Sequence, residues 1–389
     1  MKVPLLDLKL QYASLKKELD EALIKVAESQ YFILGPEVES LEKNLASYLG
    51  SKYAIGVSSG TDALLIALMA IDIKPDDEVI LPTFSFFATA GVVARMNAIP
   101  VFTDIDPVTF NIDPSDVERK ITKRTKAIIP VHLYGQSADM DPIMKIAERH
   151  SLKVIEDAAQ AIGVQYKDGK RVGTIGDIGC YSFFPSKNLG GFGDGGLVVT
   201  DNDELGERLK IMRVHGGKPK YYHKVIGGNF RLDAIQAAVL NVKLPHLDEW
   251  SRKRRENAAL YTKLFHDSGL SEIEGMMAFD KNNFVLLPKA VYADSGHKNH
   301  HIYNQYVIRS KKRDGLRKYL TDHGIGTEIY YPVPFHRQEC FAYLKCKDSD
   351  YPHSNFAAEN SLALPIYPEL TNEQIGFVVD SIAEFMEQG

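Results

Sequence analysis

Between residues 50 and 200 the chain alternates two periods. Short β-branched runs, "YAIGVSS", "EVILP", "IPVFTD", "KAIIPV", "KVIED" and "GLVVT", are separated by "TDALLIALMAI", "FFATAGVVARM" and "MDPIMKIAERH", whose apolar positions recur at helical spacing. This pattern predicts an α/β fold with an open, mostly parallel central sheet flanked by helices on both faces. In such sheets ligands bind outside the carboxyl ends of the strands. The residues just after each strand therefore have the first claim on the chemistry.

The character changes after "LDAIQAAVLNVKL" and a long helical stretch from Pro245 to about His266. "HHIYNQYVIR", a helix-like "KKRDGLRKYLTDHG" and the final "TNEQIGFVVDSIAEFMEQ" read as a smaller C-terminal α/β domain. The expected division is 1–250 and 251–389, with an N-terminal helix around "LKKELDEALIKVAES" docking elsewhere on the fold. Neither internal repeats nor low-complexity linkers interrupt the chain.

A chain of 389 residues, 44% of them hydrophobic, can bury a large core. Runs such as "AIIPV" and "GVVA" fall far short of the roughly 20 apolar residues a membrane helix needs. "MKVPLLDLKLQY" is broken by charges and a proline too early for a signal peptide, so the expected location is cytoplasmic. Cys180, Cys340 and Cys346 cannot all pair within one chain and show no Cys-x-x-Cys spacing; they read as reduced thiols, with no metal site. A net charge of -5 argues against a non-specific nucleic-acid binder but leaves room for a local basic pocket that takes an acidic small molecule. "HGGKPKYYHK", residues 215 to 224, is one such stretch; it reads equally well as a solvated loop.

Three strand ends carry chemistry. In "VSSGTDALLIAL" a strand passes through Ser58-Ser59-Gly60-Thr61 into a helix. Unpaired backbone N–H groups and the helix dipole make that turn a phosphate site, although ordinary capping by Ser or Thr would use the same residues. "KVIEDAAQAIG" delivers one carboxylate of Glu156-Asp157 to the ligand edge, or else an Asp that caps the next helix. Lys187 follows in "SFFPSKNLGGFGDGGLVV", where an isolated lysine would ordinarily be a solvated loop residue. The stretch "GFGDGG" satisfies Gly-x-Gly-x-x-Gly but precedes a strand instead of a helix, so it reads as a tight turn between two strands. A helix N-terminus for a phosphate, an aspartate for a pyridinium nitrogen and an amine for an aldehyde together fit one cofactor, pyridoxal 5'-phosphate (PLP).

With these residues in place the chain resembles the sugar-nucleotide aminotransferases of the DegT/DnrJ/StrS group, PLP-dependent transferases of type I (aspartate aminotransferase) fold. The likeness runs from "YFILGPEVESLEKNLASYLG" through "SSGTDALLIAL", "EDAAQAIG", "SFFPSKNLGGFGDGG" and "GGNFRLDAIQAAVL" to "YYPVPFHRQ" and "LPIYPELT". It implies Lys187 as the Schiff-base lysine and proton carrier, Asp157 on the pyridine nitrogen, and Gln160 near the ring 3'-oxygen, where many relatives carry His. It implies Gly60, Thr61 and Ser182 at the phosphate, and Phe86 stacked on the ring, with the adjacent Phe87 a core-facing competitor. Asn229 would reach the phosphate of a neighbouring subunit's cofactor, implying a homodimer with shared active sites.

The implied reaction moves an amino group from L-glutamate to a nucleotide-linked keto-sugar, for bacterial surface polysaccharide or lipopolysaccharide. "RLDAIQAAVL", "RVHGGKPKYYH" and "YPVPFHRQ" are more similar to relatives that aminate C3 than to those that aminate C4, so a UDP-linked 2-acetamido-3-keto sugar is expected. His215, Arg231 and Tyr331 would line the sugar site, or else be a loop histidine, a salt-bridged arginine and a packed tyrosine. The alternatives are a 4-keto-sugar aminotransferase, a sugar dehydratase, which the presence of Lys187 opposes, and a non-catalytic regulator that binds PLP or a sugar nucleotide. No helix-turn-helix or basic tail supports a DNA-binding regulator.

Overall fold

The computed structural model describes residues 1–275, 277–280 and 284–388. Seven strands form the main sheet: β1 (Tyr53–Val57), β2 (Glu78–Pro82), β3 (Ile99–Thr103), β4 (Thr125–Ile128), β5 (Lys153–Asp157), β6 (Ile178–Ser182) and β7 (Gly196–Thr200). Their order is β1-β7-β6-β5-β4-β2-β3. Neighbours from β3 to β6 pair in parallel, and β7 alone runs against both β6 and β1. The sheet is thus mostly parallel, as the alternation of periods predicts. Its reversal lies at the glycine-rich turn joining β6 to β7, which is a strand-to-strand connection and no dinucleotide fingerprint.

Helices cover both faces: α1 (Leu8–Ser29), α2 (Pro36–Leu49), α3 (Gly60–Ala70), α4 (Ala88–Arg95), α5 (Pro114–Arg119), α6 (Met140–His150), α7 (Asp203–Met212), α8 (Ala234–Lys243) and α9 (Leu247–Asp267). The period of two in each strand decides which face a side chain serves. Ile55, Val57, Val79, Leu81, Ile155 and Val198 join α3 in one core. Their neighbours Ala54, Leu197 and Val199 pack with α2 and α8, while Ile80 and Val154 pack with α6. Helix α3 is buried on every side from Ala63 to Leu68 because it lies on β5, β6 and β7 and is covered by α4 and α7. Its leucines and isoleucine each contribute roughly 1.5–3 kcal/mol on burial, so the helix that starts at Gly60 is held rigidly against the strand that ends at Ser182.

A second sheet, antiparallel, has the order β10-β9-β8, from β8 (Val285–Leu286), β9 (Tyr306–Ser310) and β10 (Ser361–Leu364). Helices α10 (Arg313–Asp322), α11 (Pro352–Asn360) and α12 (Asn372–Glu387) accompany it. Residue 250 lies in the first turn of the continuous helix α9, whose Trp250 packs with α1 and α8 while Tyr261 and Phe265 enter the core of the second sheet. The N-terminus reaches that sheet as well: Val3 pairs with Ile325 and is fully buried among the same residues.

Candidate active site

Strands β1, β2, β5 and β6 end at one edge, and the expected residues lie on the turns just beyond. Ser59 caps α3, its hydroxyl accepting the Asp62 N–H at 3.0 Å, and Ser58 donates to Asp62 at 2.6 Å. A methyl group on Gly60 would stand 2.7 Å from Ser182 Cβ. Gly60 and Ser182 are therefore brought into contact, and only glycine permits that approach. Thr61 is exposed beside them in the first turn of α3. The N-terminus of this 11-residue helix thus opens on the site with its dipole, two hydroxyls and uncovered backbone, which fits a phosphate.

The Glu156-Asp157 pair divides its work between the two sides of β5. Glu156 is fully buried and accepts from Gly173 N, Ile175 N and Gly176 N at 2.6–2.7 Å and pairs with His132 Nε2 at 2.9 Å. Since His132 Nδ1 accepts from Ala138 N, the ring's proton lies on Nε2, facing the carboxylate. Glu156 is a structural hub. Asp157 faces the site and accepts, among the described residues, from Thr89 Oγ1 at 2.8 Å and from Ala159 N at 3.2 Å. Burial pushes its carboxyl above the usual range, while Thr89, Ala159, Lys187 and His132 act in the opposite sense.

Lys187 follows β6 on a turn closed by its own N–H to the Phe184 carbonyl. Desolvation lowers its amine to about 8, and the Asp157 carboxylate opposes that shift. A partly buried amine poised near neutrality and facing a carboxylate is not a solvated loop lysine. Lys243 is the instructive contrast: it too is held at about 8 by burial, but its Nζ bonds the Gly190 carbonyl and no carboxylate acts on it.

Gln160 is fixed at both ends, accepting the Tyr134 N–H at 2.7 Å and donating to the Tyr331 hydroxyl at 2.8 Å. Burial keeps that phenol protonated. Tyr331 approaches Phe86 with 6.4 Å between ring centroids, and Phe86 is 58% exposed. Phe87 instead stacks on Phe341 and meets Phe335 edge-on, so the two adjacent phenylalanines face apart. Arg231 pairs by its backbone with Val57, and among the described residues its buried Nε has no hydrogen-bond partner. Asn229 is exposed on the same segment, bridged to Val214. His215 is exposed at positive φ (61°), with its carbonyl bonded by His223; its contacts are with that excursion and not with Lys187 or Asp157.

Thr89 and Tyr134 escaped the sequence reading. Thr89 lies inside an apolar helical run, and Tyr134 acts through its backbone and through a hydroxyl bonded to the Tyr330 carbonyl. Neither carries a sequence signal beyond its proximity to a strand end.

The residues present fit PLP: a helix N-terminus packed without a Cβ for the phosphate, a buried carboxylate with spare acceptor capacity for a ring nitrogen, an exposed aromatic face and a depressed amine. Comparison with known proteins agrees. Residues 13–383 match the DegT/DnrJ/EryC1/StrS aminotransferase family. The chain is 52% identical to the pleiotropic regulatory protein of Geobacillus stearothermophilus, over 99% of each chain. It is 43% identical to the UDP-N-acetyl-3-dehydro-alpha-D-glucosamine 3-aminotransferase of Acidithiobacillus ferrooxidans, over 98% of this chain and 97% of that one. Among solved structures it is similar to S. venezuelae DesV in complex with a ketimine intermediate, with a TM-score of 0.90 and 40% identity over 99% of each chain. The chain belongs to the DegT/DnrJ/EryC1/StrS aminotransferase family, and its cofactor is pyridoxal phosphate.

Proposed function

We propose that this enzyme exchanges an amino group between L-glutamate and C3 of a UDP-linked 2-acetamido-3-keto sugar, for bacterial surface polysaccharide or lipopolysaccharide. The observation that carries the reading is a desolvated Lys187 amine, on the turn after β6, whose charge interacts with the Asp157 carboxylate that closes β5. PLP supplies an aldehyde that receives the amine and a protonated ring that takes up the electron pair of a breaking C–H bond. Lys187, with an amine near 8, holds and returns the proton at the substrate carbon. Asp157 keeps the ring nitrogen protonated, Phe86 covers the ring face, and Gly60, Thr61 and Ser182 bind the phosphate. Gln160 has one N–H left after bonding Tyr331 and directs it at the ring oxygen.

Tyr331 accepts from Gln160, so its own proton is free for the sugar; Arg231 and His215, on other segments, are the further sugar contacts of this reading. The C3 assignment is supported by the Acidithiobacillus relative named above. A second copy of the chain completes the site through Asn229; exposed Tyr31, Phe32, Ile33, Phe184 and Phe192 form apolar surface for it to cover.

The test follows the visible absorption of the PLP-loaded protein as L-glutamate, then UDP- and dTDP-linked 3-amino and 4-amino sugars, are added separately. Bleaching by glutamate and by a UDP-linked 3-amino sugar is expected. Bleaching by 4-amino sugars alone overturns the C3 assignment.

The Geobacillus relative favours a second reading, a regulator that binds without turnover. A depressed lysine serves PLP binding in either reading, so turnover is what separates them. Replacing Lys187 with alanine should abolish turnover with the fold intact, and a native protein that never turns over would favour the regulator.

A further inference from the structure

The Asp157 carboxylate and the Phe86 ring come from the ends of different strands, and one hydroxyl lies between them. Thr89, fully buried in the first turn of α4, holds Oγ1 2.8 Å from Asp157 Oδ2 and 3.2 Å from the Phe86 carbonyl oxygen, with the buried Ser85 Oγ also at 3.2 Å. A hydroxyl has one proton to give. The shorter distance and the charged acceptor assign that proton to Asp157, and Ser85 is then free to donate to Thr89. The Asp157 backbone is already fixed, its N–H bonded to the Pro130 carbonyl and its own carbonyl accepting from His132 N. What remains free is the rotation of its carboxylate, which among the described residues is otherwise held by the Ala159 N–H at 3.2 Å.

We propose that Thr89 is a positioning residue: it aims the Asp157 carboxylate at the cofactor's ring nitrogen and ties that aim to the turn whose Phe86 covers the ring. This rests on the reading that Asp157 meets that nitrogen. The titratable groups whose charge couples to Asp157 are Lys187, His132, Cys180 and Tyr331. Lys187 acts through its charge, against the effect of burial, whereas Thr89 acts by direct contact.

The experiment loads the enzyme with 15N-labelled PLP and reads the ring-nitrogen chemical shift, which reports protonation without turnover, together with the PLP dissociation constant by equilibrium dialysis. Thr89→Val and Thr89→Ala should move the shift toward the neutral ring and weaken PLP binding roughly ten- to hundredfold, as loss of a hydrogen bond to a charged group does. Either of the two that folds, judged by circular dichroism, decides the matter. Thr89→Ser should keep the native shift and affinity. The proposal is overturned if a folded Val or Ala variant retains both, or if Thr89→Ser loses as much as they do. Asp157→Asn separates the two levels: if it also leaves the shift unchanged, the placement of Asp157 fails, whereas if it alone changes the shift, only the role of Thr89 fails.

Discussion

Lys187→Met in the cofactor-free protein is expected to raise stability at neutral pH. Burial holds the native amine at about 8 against an ordinary 10.5, and the Asp157 carboxylate recovers only part of the cost. A shift of roughly 2.5 units corresponds to about 3 kcal/mol. The sign follows from proton counting. Below about pH 8 the lysine is charged in folded and unfolded states alike, and the whole penalty is present. As pH rises from there, the folded protein gives up the proton first and the penalty falls, to about 2 kcal/mol near pH 9 and under about 1 kcal/mol near pH 10. Methionine fills a similar volume with no charge to desolvate, so its advantage should follow that curve. Urea denaturation of both apo-proteins at one protein concentration and at pH 7, 9 and 10 measures it, through ~1–3 kcal/mol per molar slopes typical of small proteins and steeper ones for a chain this long. A difference that does not change with pH, or a variant less stable than native at pH 7, refutes the account of a desolvated amine.

Three further outcomes follow from the packing. Gly60→Ala places a methyl 2.7 Å from Ser182 Cβ and should cost about 1–3 kcal/mol; adding Ser182→Gly should recover part of it in thermal denaturation, and strict additivity would show that the contact is not the cause. Phe86→Ala should loosen PLP binding in dialysis with little change in melting temperature, since its ring is 58% exposed; Phe87→Ala, which strips contacts to Phe335 and Phe341, should do the reverse. Glu156→Gln turns an acceptor into a donor facing backbone N–H groups and His132 and should cost about 3 kcal/mol in calorimetry, while the pH profile of the glutamate half-reaction stays unchanged.

The sheet and the strand-end residues were legible because both obey local rules. Alternation of periods gave β1 to β5, and a strand-turn-helix at Ser58-Ser59-Gly60 or a carboxylate closing "KVIED" needs nothing beyond its neighbours to suggest a ligand. The glycine turn was readable as a connection between strands because "GLVVT" is β-branched. What could not be read are relations between loops. Thr89 bonds Asp157 across 68 residues of chain, and Gln160 bonds Tyr331 across 171; each distance exists only after the sheet has set the order of its strands. Lys243, more deeply buried than Lys187, looks like an ordinary helix-end cation in sequence, yet α8 turns it inward toward Gly190. The helix from Pro245 to about His266 was legible, but not that its one period serves both cores, so that a boundary at residue 250 falls inside α9.

Borohydride reduction of the PLP-loaded protein, followed by peptide mass spectrometry, tests the central claim most directly. The account predicts a phosphopyridoxyl group on the peptide carrying Lys187, and its loss in Lys187→Ala. The same mass on Lys243, the other amine that burial holds near 8, would contradict it.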